Sequence, residues 1–134
     1  MAHTAQLRLE GREYKIIECD YEFNQPIKQN KQPAGHPDGG LINLTIESPD
    51  NSDLFIHNWM QGATEHKDGT IVFSVVNAGK PSTKTLHFKR AYCIYLFERF
   101  SSLANAQMLT RITISAAEIA FGRTENTVFK NDGI

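Results

Sequence analysis

Hydrophobic and polar residues alternate strictly over several segments of this chain. Between residues 16 and 24 the alternation puts four apolar or aromatic side chains on one face, namely Ile17, Cys19, Tyr21 and Phe23. The residues between them, among them Glu18, Asp20 and Glu22, lie on the other face. A period of two residues is typical of a β-strand with one buried face. The pattern therefore predicts a half-buried strand here.

A second alternating segment follows a long connection, residues 25–40, that is rich in Pro and Gly. In this segment Ile42, Leu44 and Ile46 oppose a second face made of Leu41, Asn43, Thr45 and Glu47. A loop of this length inside a small β-domain is uncommon and is usually functional or disordered. We therefore expect two strands that bracket one exposed loop.

Further strands are predicted wherever short alternating runs are bounded by turn residues. They cover residues 5–10 with a turn at Gly11-Arg12, 70–78 after a turn at Asp68-Gly69, 85–89 after a turn over residues 79–82, and 108–121. In the last of these segments the alternation of apolar and polar residues shifts by one position near Ala117 and Glu118, which predicts a β-bulge there.

The segment from Ala91 to residue 100 is apolar on both faces. Ala91, Cys93, Tyr95 and Phe97 oppose a second apolar set made of Tyr92, Ile94 and Leu96. A strand with two apolar faces needs a partner on each. We expect one face to meet the core and the other to meet a helix or another protein chain.

One short helix is predicted over residues 53–61, after a turn cluster. Its apolar stripe consists of Leu54, Phe55 and Trp59 with Met60 beside it, at helical spacing. Gly62 is a plausible stop signal. The helix is expected to plug an open end or side of the sheet.

These elements predict an all-β fold of about seven or eight strands with one flanking helix, an antiparallel barrel or sandwich. The chain has 134 residues, 40% of them hydrophobic and 22% charged, which suits a single domain with one core. We expect residues 1–122 to form the barrel and helix, and residues 123–134 to form a polar tail.

Charge and hydropathy exclude several kinds of partner. The formal net charge is −1 and lysines and arginines are not clustered, so nucleic acid binding is not predicted. The first ten residues lack the basic start and apolar run of a secretory signal, and no later run is long enough for a membrane helix. We expect folding in the cytoplasm, and any export must use a route that does not read such a signal.

Candidate chemistry is sparse. Cys19 and Cys93 lie in strand patterns and are interpreted as buried thiols, because their spacing matches neither a metal nor a redox motif. The five histidines lack ligand spacing, so no metal or cofactor is predicted. The Glu18, Asp20 and Glu22 face could support an acidic hydrolase, but a solvated or lumen-facing acidic stripe is the simpler reading.

Four segments together resemble one protein family. They are residues 18–25 (Glu-Cys-Asp-Tyr-Glu-Phe-Asn-Gln), residues 39–48 (Gly-Gly-Leu-Ile-Asn-Leu-Thr-Ile-Glu-Ser), Ala91-Tyr92-Cys93, and residues 109–116 (Leu-Thr-Arg-Ile-Thr-Ile-Ser-Ala). In this order they resemble the Hcp (TssD) tube protein of the type VI secretion system, in the form found in Bacteroidetes. The likeness runs from the first hairpin to about Gly122 and is specific only as a set.

The resemblance implies a β-barrel with a flanking helix, similar to phage tail-tube proteins, that forms hexameric rings stacking into a hollow tube. It implies a structural role with no catalytic residues, a contractile sheath and a spike protein as partners, and a lumen that can hold small effectors. It also implies secretion without a signal peptide.

Three sets of residues receive roles on this basis. The ring-stacking loop is Ile27, Lys28, Gln29, Asn30, Lys31 and Gln32. The subunit interface is Tyr92, Ile94 and Leu96, and the lumen-facing candidates are Glu18, Asp20, Glu22, Asn43, Thr45 and Glu47. The alternatives are a phage-like tail-tube subunit and a monomeric ligand-binding β-barrel, which predicts an apolar cavity and no self-association.

Overall fold

The computed structural model describes residues 3–23, 40–48, 53–62, 65–99, 108–122 and 126–130. Its elements are β1 (His3–Leu9), β2 (Arg12–Tyr21), β3 (Leu41–Glu47), α1 (Phe55–Gln61), β4 (Lys67–Asn77), β5 (Lys80–Arg99), β6 (Leu109–Phe121) and β7 (Asn126–Lys130). No helix in these ranges is both long and apolar enough to span a membrane.

Strands β1 to β6 form a closed antiparallel barrel. The sheet order is β3-β2-β1-β4-β5-β6-β7, and an additional pairing of β3 with β6 closes the barrel. Closure leaves each of these six strands with a partner on both sides, which removes exposed sheet edges. The predicted fold class, an antiparallel barrel with one short helix, is confirmed.

Two hairpins turn through residues with positive φ, as type I′ turns require. Between β1 and β2 these are Glu10 (φ 47°) and Gly11 (φ 80°), and between β4 and β5 they are Ala78 (φ 52°) and Gly79 (φ 79°). The first turn therefore lies one residue before the predicted Gly11-Arg12. The predicted turn at residues 79–82 is also shorter, because β5 already begins at Lys80.

The predicted turn at Asp68-Gly69 is wrong, since both residues lie inside β4. The pairing with β5 shifts register here, and Oδ1 of Asp68 accepts a 2.8 Å hydrogen bond from the backbone N–H of Arg90. A Cβ on Gly69 would come within 2.4 Å of Cζ of Phe88. The glycine is required by this close approach and not by a turn.

The inward faces of the barrel strands form one hydrophobic core. Side chains no more than 2% exposed include Leu7, Leu9, Ile42, Leu44, Ile46, Ile71, Leu86, Phe88, Ile112, Ile114 and Ile119. Most of these residues are β-branched or aromatic, which suits packing on a pleated surface. The alternation predicted in β3 and in the first half of β6 is confirmed by this burial.

Helix α1 adds Ile56 and Trp59 to the core, both 1% exposed. Nε1 of Trp59 donates a 3.2 Å hydrogen bond to the carbonyl of Ala91 on β5. The predicted stripe is wrong at its ends, because Leu54 and Met60 are exposed. Gly62 is the C-cap residue, as predicted.

The start of α1 is fastened to the neighbouring strands by polar contacts. Asp53 accepts a hydrogen bond from the Tyr14 hydroxyl at 3.2 Å and pairs with the Arg12 guanidinium at 3.2 Å. The Arg12 guanidinium and the Lys67 ammonium lie 4.7 and 4.8 Å from the centre of the Phe55 ring. The helix therefore covers the end of the barrel where β2 and β4 begin.

In β2 the predicted phase holds for Cys19, Tyr21 and Phe23, which pack against the core. It fails at Ile17, which is 45% exposed. The register between β2 and β3 shifts between residues 16 and 18, so a β-bulge turns Ile17 outward.

In β5 a similar bulge exchanges the two predicted faces. The register against β6 shifts between residues 93 and 95. Ala91 and Cys93 point inward before the bulge and Leu96 packs against the core after it, while Tyr95 and Phe97 are exposed. The register of β6 against β5 is constant around Ala117 and Glu118, but its register against β7 shifts between Ile119 and Ala120, close to the predicted bulge. The bulge at Ile94 in β5 was not predicted.

Part of the segment predicted as a tail is a strand. Residues 126–130 form β7, which pairs antiparallel with the second half of β6. The paired range runs from Glu118 to Phe121, beyond the part of β6 that pairs with β3.

Candidate functional site

Four neighbouring strands, β2, β3, β6 and β5, present a largely polar outward face. Cross-strand pairing arranges its side chains in two rows, Asp20, Asn43, Thr113 and Tyr95 in one and Glu18, Thr45, Arg111 and Phe97 in the other. Side chains directly opposite each other on neighbouring strands lie within contact distance. The rows therefore form one continuous surface, which we call the polar face.

Hydrogen bonds hold the first row in place across three strands. Oγ1 of Thr113 donates to Oδ1 of Asn43 at 2.8 Å, and Nδ2 of Asn43 donates to Oδ1 of Asp20 at 2.9 Å. The Asn43 amide thus uses both its acceptor and its donor group, which fixes its orientation. Such a row presents an ordered polar surface to solvent or to a partner.

A shallow depression of about 320 Å³ lies on the polar face. It is lined by Glu18, Asp20, Asn43, Leu44, Thr45, Tyr95, Arg111, Ile112 and Thr113. Both signs of charge, an amide, hydroxyls and an aromatic ring meet there. Such a mixture suits polar contacts with another macromolecule.

The structure brings four of the six lumen-facing candidates together in this depression, namely Glu18, Asp20, Asn43 and Thr45. Thr45 is only 9% exposed, so it contributes little of the surface. Glu22 is exposed just after β2. Glu47 lies at the far end of β3, with Oε1 3.5 Å from Nζ of Lys15.

Sequence reasoning missed Tyr95, Arg111 and Thr113 as members of the polar face. For Arg111 and Thr113 the signal was present, since they occupy the polar phase of the alternation in β6. Tyr95 was hidden because only the bulge at Ile94 turns it outward.

A second surface of interest is the outward side of β5 at the edge of the polar face, with which it shares Tyr95 and Phe97. Ile94, Tyr95 and Phe97 are 51%, 48% and 45% exposed. Three large apolar side chains this exposed on one strand are typical of a contact surface. Of the predicted interface residues, Ile94 belongs to this surface and Tyr92 is half-buried, with its ring 5.9 Å from that of His66. Leu96 faces the core.

The predicted ring-stacking residues, 27–32, lie outside the described residues. The described chain resumes at Gly40, whose carbonyl accepts a 2.7 Å hydrogen bond from the N–H of Ala116 on β6.

Both thiols are held in the neutral form. Burial, with a smaller effect from Asp20, raises the pKa of Cys19 to about 12. Burial raises the pKa of Cys93 to about 11, against the smaller lowering effect of a backbone hydrogen bond with Tyr95. Because the thiolate is the reactive species, neither thiol is a nucleophile at neutral pH.

An all-β barrel with an ordered polar face and a neighbouring apolar strand surface defines a protein that works through surface contact. Comparison with known proteins assigns the family. The profile of the family "Hemolysin coregulated protein Hcp (TssD)" matches residues 1–132. The chain belongs to the Hcp (TssD) family, whose members are secreted structural tube proteins of type VI secretion and not enzymes. The protein is thus a type VI secretion tube subunit.

Solved structures agree with this assignment. Hcp1 from Flavobacterium johnsoniae is 26% identical, with a TM-score of 0.76 over 96% of this chain and 99% of that chain. Hcp1 from Salmonella typhimurium is 10% identical, with a TM-score of 0.68 over 96% and 92%. Secreted protein Hcp3 from Pseudomonas aeruginosa is 10% identical, with a TM-score of 0.61 over 94% and 95%. The last two show a common fold. A comparison with the curated proteins finds no match.

Proposed function

We propose that this chain is a single tube domain whose polar face lines the lumen of a hexameric ring and whose β5 surface contacts the neighbouring subunit. Rings stack into the hollow tube through the loop that contains Ile27, Lys28, Gln29, Asn30, Lys31 and Gln32. The observation that carries the proposal is the position of the polar face directly beside the exposed apolar side chains of β5.

Burial and polarity support this division of roles. A water-filled lumen suits a surface on which Asn43, Asp20 and Thr113 already satisfy each other and leave further donors and acceptors to solvent. A subunit contact suits Ile94 and Phe97, because burying exposed apolar area drives association. The interface set is revised accordingly. Tyr92 and Ile94 remain in the proposed interface, and Tyr95 and Phe97 are added. Leu96 supports the interface strand from the core side, against which it packs.

Packing inside the barrel disfavours the ligand-binding alternative. Its inward side chains form a single buried cluster that includes the large side chains of Phe88 and Trp59. A barrel whose interior is filled by side chains in this way suits a structural subunit better than a protein that holds a small molecule.

The partners and route of this tube belong to the same proposal. We infer assembly in the cytoplasm, enclosure by a contractile sheath, a spike protein at the tip, and small effectors carried in the lumen. The chain is then secreted as part of the tube and needs no signal peptide. The proposed function involves no cofactor and no nucleic acid.

The mass of the purified protein in solution tests the proposal, measured by light scattering with negative-stain images of the same fractions. Rings of about six subunits with a central hole are expected. The variants Tyr92→Asp and Ile94→Asp should lower the mass to that of a monomer, because an unpaired charge in an apolar contact is costly. Leu54→Asp is the matched control, since Leu54 is 53% exposed on the helix side. A monomer at high concentration in the unsubstituted protein would contradict the proposed function.

A further inference from the structure

A ring of identical copies needs two different patches on each copy, because each subunit meets its two neighbours with opposite sides. The β5 surface described above supplies only one of them. The inference made here rests on the proposed function and concerns the second patch.

The structure contains two bulges that place consecutive residues outward. In β2 the bulge exposes Ile17 together with Glu18, and in β5 it exposes Ile94 together with Tyr95. Ile17 is 45% exposed and Ile94 is 51% exposed. Bulges redirect side chains and increase local twist, and they are functional features of a fold and not defects in it. Here each one brings an isoleucine to the surface that regular alternation would have turned inward.

The two bulges lie on opposite flanks of the polar face. Its strands follow one another in the order β2, β3, β6 and β5, so β2 forms one flank and β5 the other. The row that joins Glu18 through Thr45 and Arg111 to Phe97 crosses the face from flank to flank. When the polar faces of successive copies point to one centre, the β5 flank of one copy comes next to the β2 flank of the following copy.

Charge on the two flanks is complementary. Neither Glu18 nor Asp20 on the β2 flank has an ion pair with another described residue. On the other side, Arg99 of β5 and Arg111 of β6 also have none within the described ranges. Opposite charges at the rims of a contact steer association and fix its register. Two copies meeting flank to flank would bring the Glu18 and Asp20 carboxylates, which have no ion pair among the described residues, towards guanidinium groups of the same kind.

We propose that the second patch is the β2 flank, with Ile17 packing against Ile94 and Phe97 of the neighbouring copy and Glu18 and Asp20 facing its arginines. The occupant of the exposed β5 surface is thus a second copy of this chain. Lone exposed isoleucines are common on protein surfaces. The pairing of two bulges, two isoleucines and opposite charges across one face is what singles out this contact.

A charge exchange tests the contact. Ile17→Lys and Ile94→Glu should each break the ring and reduce the solution mass about six-fold. The chain carrying both substitutions should form rings again, because every contact then joins a glutamate to a lysine. An equimolar mixture of the two single variants should form rings as well, in which unsubstituted and exchanged contacts alternate. Leu54→Lys serves as the control for an added charge on an exposed apolar position.

Several outcomes separate this inference from the proposed function. If Ile17→Lys leaves rings intact while Ile94→Glu breaks them, the β2 flank is not the second patch and the tube function stands. If the unsubstituted protein forms no rings, the proposed function falls and this contact with it. Failure of the double variant to form rings, with its circular dichroism unchanged, also overturns the contact.

Crosslinking gives an independent measurement with smaller substitutions. Chains with Ile17→Cys and chains with Ile94→Cys are mixed and treated with a short bismaleimide. The buried Cys93 and the half-buried Cys19 react slowly with it, because burial raises the pKa of both thiols. The mixture should give crosslinked dimers in high yield, and either variant alone should give few. Equal yields in all three samples would overturn the proposal.

Discussion

Nε2 of His57 lies 2.6 Å from Oε1 of Glu98, which joins helix α1 to strand β5. The other carboxylate oxygen of Glu98 accepts a 2.9 Å hydrogen bond from Oγ1 of Thr110, and Oγ1 of Thr110 lies 2.7 Å from Oγ of Ser48. Thr110 is 1% exposed, and the side chains of His57 and Glu98 are 30% and 22% exposed, so the network is partly removed from water. A carboxylate at its centre satisfies donors from the helix and from β6 at once.

Glu98→Ala should therefore destabilise the fold by about 1–3 kcal/mol, the usual cost of leaving buried hydrogen-bonding groups without a partner. Glu98→Gln should cost less, because it keeps an acceptor oxygen. Urea unfolding followed by tryptophan fluorescence measures both, since the single tryptophan, Trp59, lies in the core.

The control for this comparison is Glu13→Ala, which removes an exposed pair with Arg8 at 3.4 Å. Exposed pairs contribute about 0–1 kcal/mol, so a small change is expected. Equal effects of Glu98→Ala and Glu13→Ala would show that the network adds nothing to stability.

The β4–β5 turn offers a stabilising substitution. Ala78 has a φ of 52°, which is unfavourable for alanine but is readily adopted by asparagine. Ala78→Asn creates the Asn-Gly pair preferred in type I′ turns and should raise the melting temperature by about 2 °C. Ala78→Val, a β-branched residue at the same φ, should lower it. The pair of variants is compared by differential scanning calorimetry, and a lower melting temperature for Ala78→Asn would contradict the turn assignment.

How much the sequence predicts depends on whether a strand is regular. In β3 the alternation placed Ile42, Leu44 and Ile46 correctly, because a strand paired without interruption keeps its period of two. The fold class followed from many such segments. In β2 and β5 the prediction failed at Ile17 and Leu96, because each bulge arises from how two strands pair and left no break in the apolar pattern of these two strands.

The candidate site, too, was predicted correctly only where its strands are regular. Glu18, Asp20 and Asn43 were correctly grouped, since they occupy the polar phase of two neighbouring strands. Tyr95 joined them only through the bulge at Ile94. The turn predicted at Asp68-Gly69 was wrong for a related reason. In sequence, a glycine needed because Phe88 packs closely against it cannot be distinguished from a glycine in a turn.

Stability should fall at alkaline pH because three groups, two of them buried and one half-buried, hold their protons more tightly in the folded state. The pKa of Cys19 is raised to about 12 and that of Cys93 to about 11, both from 9.0, and burial with the nearby Asp53 raises that of Tyr14 from 10.0 to about 12. A raised folded-state pKa gives stability that is complete below the unfolded-state pKa and is lost as the pH rises towards the folded-state value. We therefore expect the free energy of unfolding to decline between about pH 9 and pH 12.

Urea unfolding at several pH values, compared with a Cys19→Ala/Cys93→Ala variant, measures this effect. The variant is less stable near neutral pH because its core has lost two side-chain sulfurs. Above pH 9 the free energy of unfolding of the variant should depend less on pH than that of the unsubstituted protein. Lysines and tyrosines titrate in both proteins, so the difference reports the two thiols. Parallel curves for the two proteins would contradict the thiol contribution.

The segment from Lys28 to Gln32 separates ring formation from stacking in the proposed function. Deleting it should leave rings intact, because β2 and β3 stay paired at Tyr21 and Ile42 on either side of the loop. Tubes should be absent, because the deleted residues are those assigned to the contact between rings. Replacing the five residues with Gly and Ser is the matched control, since it keeps the length of the loop but removes its side chains. Electron microscopy of concentrated protein compares the variants. Tubes that persist after the deletion would remove the proposed stacking role from this loop, while the proposed ring contacts of β5 would stand.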